Sequence, residues 1–130
     1  MTEVPAHDLA ALNAYIDGWR RGDAKAIHRV QAPAYHLSGV PGVPPVPREA
    51  FVEFFGAFRA QIADAGGPAV DSTAFMEIHG QIRRQVGDTT VESALFVVPG
   101  FGAGTYAAAV RDGQILWEEA CMLALKIEAG

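Results

Sequence analysis

Three ionisable side chains are of a type that could move a proton in an apolar pocket: Tyr15, His36 and Glu118. A tyrosine on a helix can donate a hydrogen bond to a carbonyl, or to the oxyanion that forms on it when a neighbouring proton is removed. An imidazole titrates near neutrality, which suits proton abstraction beside a carbonyl or loss of water. A carboxylic acid enclosed among apolar groups has a raised pKa and can act as an acid, or it can orient a histidine. Each residue also has an ordinary structural explanation: a core tyrosine bonded to backbone, a satisfied edge-strand histidine, a glutamate paired at an interface. Glu118 and its neighbour Glu119 share a strand pattern, so alternation turns one of them inward.

The elements that position these groups follow from periodicity. Leu9, Leu12, Ile16 and Trp19 recur at three- and four-residue spacing and predict a helix over Asp8–Arg21, with Tyr15 beside the stripe. Gly22 stops it, Asp23 caps a second helix over Ala24–Gln31, and Pro33 ends that one. Ala34–Gly39 alternates and reads as a short strand carrying His36. Val40–Pro47, with four prolines and one glycine, is an ordered surface loop or a short edge hairpin. Arg48–Ala63 is the clearest helix: Phe51, Phe54, Phe55, Phe58 and Ile62 share one face, and Glu49, Glu53, Arg59 and Gln61 the other. From residue 69 the period changes to two. Strands are predicted over Val70–Arg84, Thr89–Val98, Thr105–Val110 and Gln114–Ile127, joined by turns at Gly87-Asp88, Pro99–Gly104 and Arg111-Asp112-Gly113. Helices first and strands after make an α+β fold, an antiparallel sheet with one face covered by three amphipathic helices and space for a pocket between the layers.

Composition narrows the function classes. A length of 130 residues fits one domain, 1–130. Ten basic residues against 15 acidic ones, scattered and giving a net charge of −5, argue against a nucleic-acid module. The single cysteine, Cys121, can form no internal disulfide and reads as a small buried hydrophobe. No apolar run reaches the ~18 residues of a membrane span, and Met1–His7 lacks the features of a signal peptide, so a cytoplasmic protein is expected. No metal-ligand spacing, nucleophile elbow or dinucleotide loop is present, so neither a metal nor another cofactor is expected. Gly100-Phe101-Gly102-Ala103-Gly104 joins two strands and is a turn.

The order of elements, with Tyr15-Ile16-Asp17-Gly18-Trp19-Arg20-Arg21-Gly22-Asp23-Ala24 and Val110-Arg111-Asp112-Gly113-Gln114-Ile115-Leu116-Trp117-Glu118-Glu119, resembles the nuclear transport factor 2-like superfamily. That group includes ketosteroid isomerases, scytalone dehydratase, limonene epoxide hydrolase and SnoaL-like polyketide cyclases. The resemblance implies a cone-shaped α+β barrel: a single SnoaL-like domain with a curved sheet on three N-terminal helices. Where the family has Phe-Ala-Asp-Asp before its first strand, this chain has Gln31-Ala32-Pro33, one residue shorter. Aligning Ala34 with the first-strand alanine leaves Tyr15 at the ketosteroid isomerase oxyanion tyrosine and Ser38 at its catalytic-base aspartate. His36 then shares the face of Ser38. The epoxide hydrolase Arg-x-Asp pair falls on Ser93 and Leu95, and its remaining aspartate on Ala120. Neither specific reaction is therefore expected.

The ungapped match at the hairpin puts Glu118, Ala120 and Met122 inside, with Tyr106, Ala108 and Val110. Trp117, Glu119, Cys121 and Leu123 fall on the outer face, and the apolar residues of that face, Trp117, Cys121, Leu123 and Leu125, predict a homodimer. The expected function is a cofactor-independent isomerase, dehydratase or cyclase for a small apolar carbonyl-bearing molecule such as a polyketide or terpenoid. His36 would move the proton, Tyr15 would stabilise the oxyanion, and Glu118 would be a second acid/base or orient His36. Trp19, Ser38, Phe54, Phe55, Phe58, Met76, Leu95, Tyr106 and Met122 would line the pocket. A non-catalytic binding or dimerisation module of the same fold is the alternative.

Overall fold

The computed structural model describes residues 3–124. Helix α1 (Ala6–Arg21) buries Leu12, Tyr15, Ile16 and Trp19 along the predicted stripe. It begins two residues before the periodicity does, because the Pro5 carbonyl accepts from the N–H groups of Asp8 and Leu9. Asp8 is buried, and its carboxylate accepts from Thr90 Oγ1 at 2.7 Å and from the Gly113 N–H at 2.8 Å. One side chain thus fastens the start of α1 to the strand end at Thr90 and the hairpin turn at Gly113. Gly22, at φ 78°, ends the helix in the left-handed conformation that favours glycine. Helix α2 (Ala24–Arg29) is capped by Asp23, which accepts from the Ala26 N–H, and it stops two residues short of the predicted limit.

The proline-rich segment closes a short edge hairpin, pairing β1 (His36–Ser38) with β2 (Val46–Pro47). A 3₁₀ turn, Arg48–Ala50, leads into α3 (Phe51–Asp64). Four long strands follow: β3 (Glu77–Val86), β4 (Thr89–Val98), β5 (Gly102–Arg111) and β6 (Gln114–Ala124). The predicted continuation of β6 to Ile127 lies outside the described residues. The sheet order is β2-β1-β6-β5-β4-β3, curved and unclosed. All its pairings are antiparallel except β1–β6, which is parallel, a departure from the all-antiparallel sheet expected. Register shifts at His79/Ile82 and Ala109/Val110 are the bulges that bend such strands.

The predicted strand Val70–Arg84 starts seven residues late, and Arg59 is the reason. Expected on the polar face of α3, Arg59 is buried at 2% exposure. Its guanidinium donates to the Trp19 carbonyl at the end of α1 and to the carbonyls of Ser72 (2.8 Å) and Val70 (3.4 Å), and stacks 4.1 Å over the Phe75 ring. Binding carbonyls at a helix C-terminus suits a cation, and it holds residues 70–75 against the helices and off the sheet. The three helices cover one sheet face. On the bare outer face Ile82, Leu95 and Leu123 are exposed. Among the described residues no helix is long and apolar enough to cross a membrane.

Candidate functional site

Between the helices and the inner face of β4–β6 lies a cavity of about 250 Å³, close to the lower end of the ~300–1,000 Å³ usual for small-molecule pockets. Trp19 of α1 and Phe54 and Phe58 of α3 form one wall, and Phe96, Val98, Ala120 and Met122 the other. Val40, Pro41 and Val43 of the proline-rich loop, with Gln61 and Phe101, border it. The lining is almost wholly apolar. Its acid–base groups are Tyr15, Tyr106 and Glu118.

Glu118 faces the cavity because β6 alternates as the hairpin match predicted: Glu118, Ala120 and Met122 line it, while Glu119 and Cys121 are exposed on the other face. Opposite Glu118 on β5 stands Ala108, fully buried and too small to fill the space above the carboxyl. Tyr35 donates to Glu118 Oε1 at 3.1 Å. Among the described residues no ion pair includes Glu118. Burial without a cation pushes its pKa up to about 7, against the opposing pull of hydrogen bonding from Tyr15 and Tyr35. Burial and the Glu118 charge in turn raise both phenols well above the usual tyrosine value, so each keeps its proton as a donor.

A second polar cluster adjoins the first. Tyr106 packs edge-on to Tyr15, with centroids 6.0 Å apart, and donates its hydroxyl hydrogen to Glu92 Oε1. Glu92, fully buried on β4, is ion-paired through Oε2 to Arg83 of β3, its cross-strand partner, and also accepts from Gln81.

Four expected site residues are misplaced. His36 is exposed, and Ser38 is half-buried beside Glu119 in the ladder; neither lines the cavity. Leu37 of β1 and Tyr35, just before the strand, are the residues that turn inward, both buried. The strand runs in the phase opposite to the one the resemblance implies, and a shift of one position reverses every side chain. Gly39 shows how tightly the strand is held: at φ 88°, a Cβ there would fall 1.8 Å from the Ala120 carbonyl oxygen. Leu95 is exposed on the outer face, and Phe96 takes its place in the wall, because β4 alternates as Thr90, Glu92, Ala94, Phe96 and Val98 inward. Phe55 is core rather than lining; it packs 4.5 Å from Trp19 while Phe54 and Phe58, on the adjoining strip of α3, face the cavity. Trp19, Phe54, Phe58, Met76, Tyr106 and Met122 line it with Tyr15 and Glu118. Cys121, expected to be buried, is exposed because its strand position is an outer one. Sequence reasoning missed Tyr35 and Glu92. The pattern Tyr35-His36-Leu37-Ser38, large apolar alternating with polar, signals the correct face. Nothing comparable marks Glu92.

Among the described residues no group of three or more His, Cys, Asp or Glu could hold a metal. No protein-family model and no curated protein matches the chain by sequence. Solved structures do match. An NTF2-like protein from Cytophaga hutchinsonii superposes with a TM-score of 0.65 at 13% identity, over 92% of this chain and 100% of that one. A ketosteroid isomerase-like protein from Erwinia carotovora atroseptica gives 0.65 at 18% identity over 95% and 98%. A candidate polyketide cyclase from Xanthomonas campestris pv. campestris gives 0.57 at 16% identity over 88% and 89%. Likenesses at this level of identity establish architecture and leave the chemistry to the site. With its six-stranded curved sheet, three covering helices and apolar cavity between them, the chain has the nuclear transport factor 2-like fold.

Proposed function

We propose that the protein is a cofactor-independent acid/base enzyme for a small apolar carbonyl-bearing molecule such as a polyketide or terpenoid, with Glu118 as the group that moves the proton. One observation carries this reading: a lone carboxyl in an apolar cavity, without a cation among the described residues and pushed up to about 7, beside a tyrosine that keeps its proton. A base poised near the working pH serves both directions of a proton transfer. Glu118 removes a proton from the carbon next to the carbonyl, and the electron pair moves onto oxygen. Tyr15 donates to the oxyanion that results. Protonated Glu118 then returns the proton at another carbon, for an isomerisation, or to a departing hydroxyl, for a dehydration. In a cyclisation, the enolate carbon attacks a second carbonyl and Glu118 supplies the proton to the oxygen formed. Tyr35 does not line the cavity and acts by positioning Glu118. Phe54, Phe58 and Met122 exclude water. The likeness to ketosteroid isomerase-like and candidate polyketide cyclase structures supports the general kind of chemistry.

The test needs no natural substrate. 2-Tetralone, an apolar bicyclic ketone, is incubated with the protein in D₂O and its mass followed. Exchange at the carbon next to the carbonyl is expected to be catalysed, and Glu118→Gln is expected to lower the rate at least ~100-fold, the low end of general acid–base contributions. Equal exchange by Glu118→Gln removes the assignment. Tight binding of the ketone with no exchange makes the protein a carrier.

The bare outer face is proposed as the place where a second copy docks. Its exposed Leu95 and Leu123 belong to two of the central strands of the sheet, and patches of that kind mark partner surfaces. A dimer by light scattering at micromolar concentration, lost in Leu95→Glu, is expected. A wild-type monomer removes the proposal.

A further inference from the structure

The two clusters present opposite hydrogen-bonding characters to the cavity. A phenol has one hydrogen. That of Tyr106 goes to Glu92 Oε1, and Glu92 is itself immobilised by Arg83 on its other oxygen and by Gln81 on the same one. Turning the Tyr106 hydroxyl towards a ligand would strip a fully buried carboxylate of one of its bonds, which is costly. Burial and the charges of Glu92 and Glu118 keep the phenol protonated. Tyr106, a wall residue, therefore has only oxygen lone pairs left to offer, whereas the Tyr15 hydrogen is turned to Glu118, which no second bond to a cation holds, and passes to a ligand oxygen once Glu118 takes up a proton.

We infer that Tyr106 is a specificity residue that accepts a hydrogen bond from the ligand, so that the cavity selects hydroxyl-bearing apolar molecules, with Glu92 and Arg83 as the positioning pair that fixes its polarity. This deepens the proposed function and rests on the same cavity being the ligand site. It adds a substrate class: an apolar phenol, enol or alcohol that also carries a carbonyl. The carbonyl goes to Tyr15 and the hydroxyl to Tyr106, whose rings stand 6.0 Å apart.

The probes are 2-naphthol and 2-methylnaphthalene, nearly equal in size and differing by hydroxyl for methyl, with Kd measured by calorimetry. The ratio of the two Kd values reports hydroxyl recognition and cancels the shared apolar contribution. In Tyr106→Phe the preference for the hydroxyl is expected to fall three- to tenfold, roughly the worth of one net hydrogen bond. In Glu118→Leu, which leaves no acceptor at 118, it is expected to persist. A preference unchanged in Tyr106→Phe overturns the inference, and so does one that disappears in Glu118→Leu, because Glu118 would then be the acceptor. Should Tyr106→Phe fail to fold, Tyr106→Leu takes its place with the same outcomes. Wild-type protein that binds neither probe also overturns it. Exchange of 2-tetralone separates the two readings: exchange together with a hydroxyl preference that does not depend on Tyr106 removes only this inference. A Tyr106-dependent preference without exchange removes only the enzyme.

Discussion

Glu118 and Glu92 invite comparison. Both are buried glutamates on the inner face of the sheet, on strands separated by β5, and both are hydrogen-bonded by a tyrosine. Glu92 has a guanidinium against it and lies outside the cavity wall. Glu118 has phenols only and lines it. A cation makes a buried carboxylate structural, because attraction offsets the lost hydration and fixes the geometry. A carboxylate solvated only by neutral donors keeps its desolvation cost, and that cost turns it into a base near neutrality. Placed side by side, the two glutamates occupy different environments, one buried with a counter-charge and one buried without, and the proposed role belongs to the second.

Four changes break or sharpen this contrast. The largest concerns pH. Glu118 has a higher pKa folded (about 7) than unfolded (near 4.5), so the native state holds the extra proton between those values. Its contribution is present below about pH 4.5 and is lost as pH rises through about 7, by about 3 kcal/mol. Glu118→Gln should be less sensitive over that window by this amount, measured as the difference between urea midpoints at pH 5 and pH 8. Parallel pH dependence of the two proteins contradicts the assignment.

Next in size is Arg83→Met, which leaves Glu92 buried without its cation. Removing one partner of a fully buried pair costs ~3–5 kcal/mol. Because Arg83 is itself 28% exposed, about 2 kcal/mol is expected. Denaturant unfolding at pH 7 checks it, and a loss below ~0.5 kcal/mol would make the Glu92 pair dispensable. Tyr35→Phe should have a smaller effect: it deletes a donor that favours the Glu118 carboxylate, so the midpoint of the exchange-rate profile should move to higher pH. A shift to lower pH would show that Tyr35 does not stabilise the charged form. His36→Ala, on the exposed side of β1, should change the exchange rate less than twofold and the stability within ~0.5 kcal/mol. A large loss of exchange would return the imidazole to the mechanism.

Much of this was legible in the residues. The α1 and α3 stripes follow from periods that the fold keeps; alternation turns one of Glu118 and Glu119 inward, and the hairpin resemblance is what selects Glu118, with Glu119 and Leu123 outside. What failed was phase. At β1 the strand runs in the phase opposite to the one the resemblance implies, which reverses His36 and Ser38, and at β4 a slip of one puts Leu95 where Phe96 lies, since a strand has no tolerance for a single residue. Arg59 failed for a different reason. Periodicity assigns a charge to the outside, and only the assembled carbonyls of Trp19, Val70 and Ser72 make its burial acceptable. Glu92 is the same case: the hairpin that joins β3 to β4 is legible, but the pairing register that sets Arg83 against Glu92 is not.

The most direct measurement is a carbon-13 NMR titration of the protein labelled at glutamate side-chain carboxyls, with Glu118→Gln to identify the resonance. The account predicts that the signal missing from the variant titrates with a midpoint near 7 in the wild type and moves higher in Tyr35→Phe. A midpoint near 4.5, the value of a solvated glutamate, would contradict it.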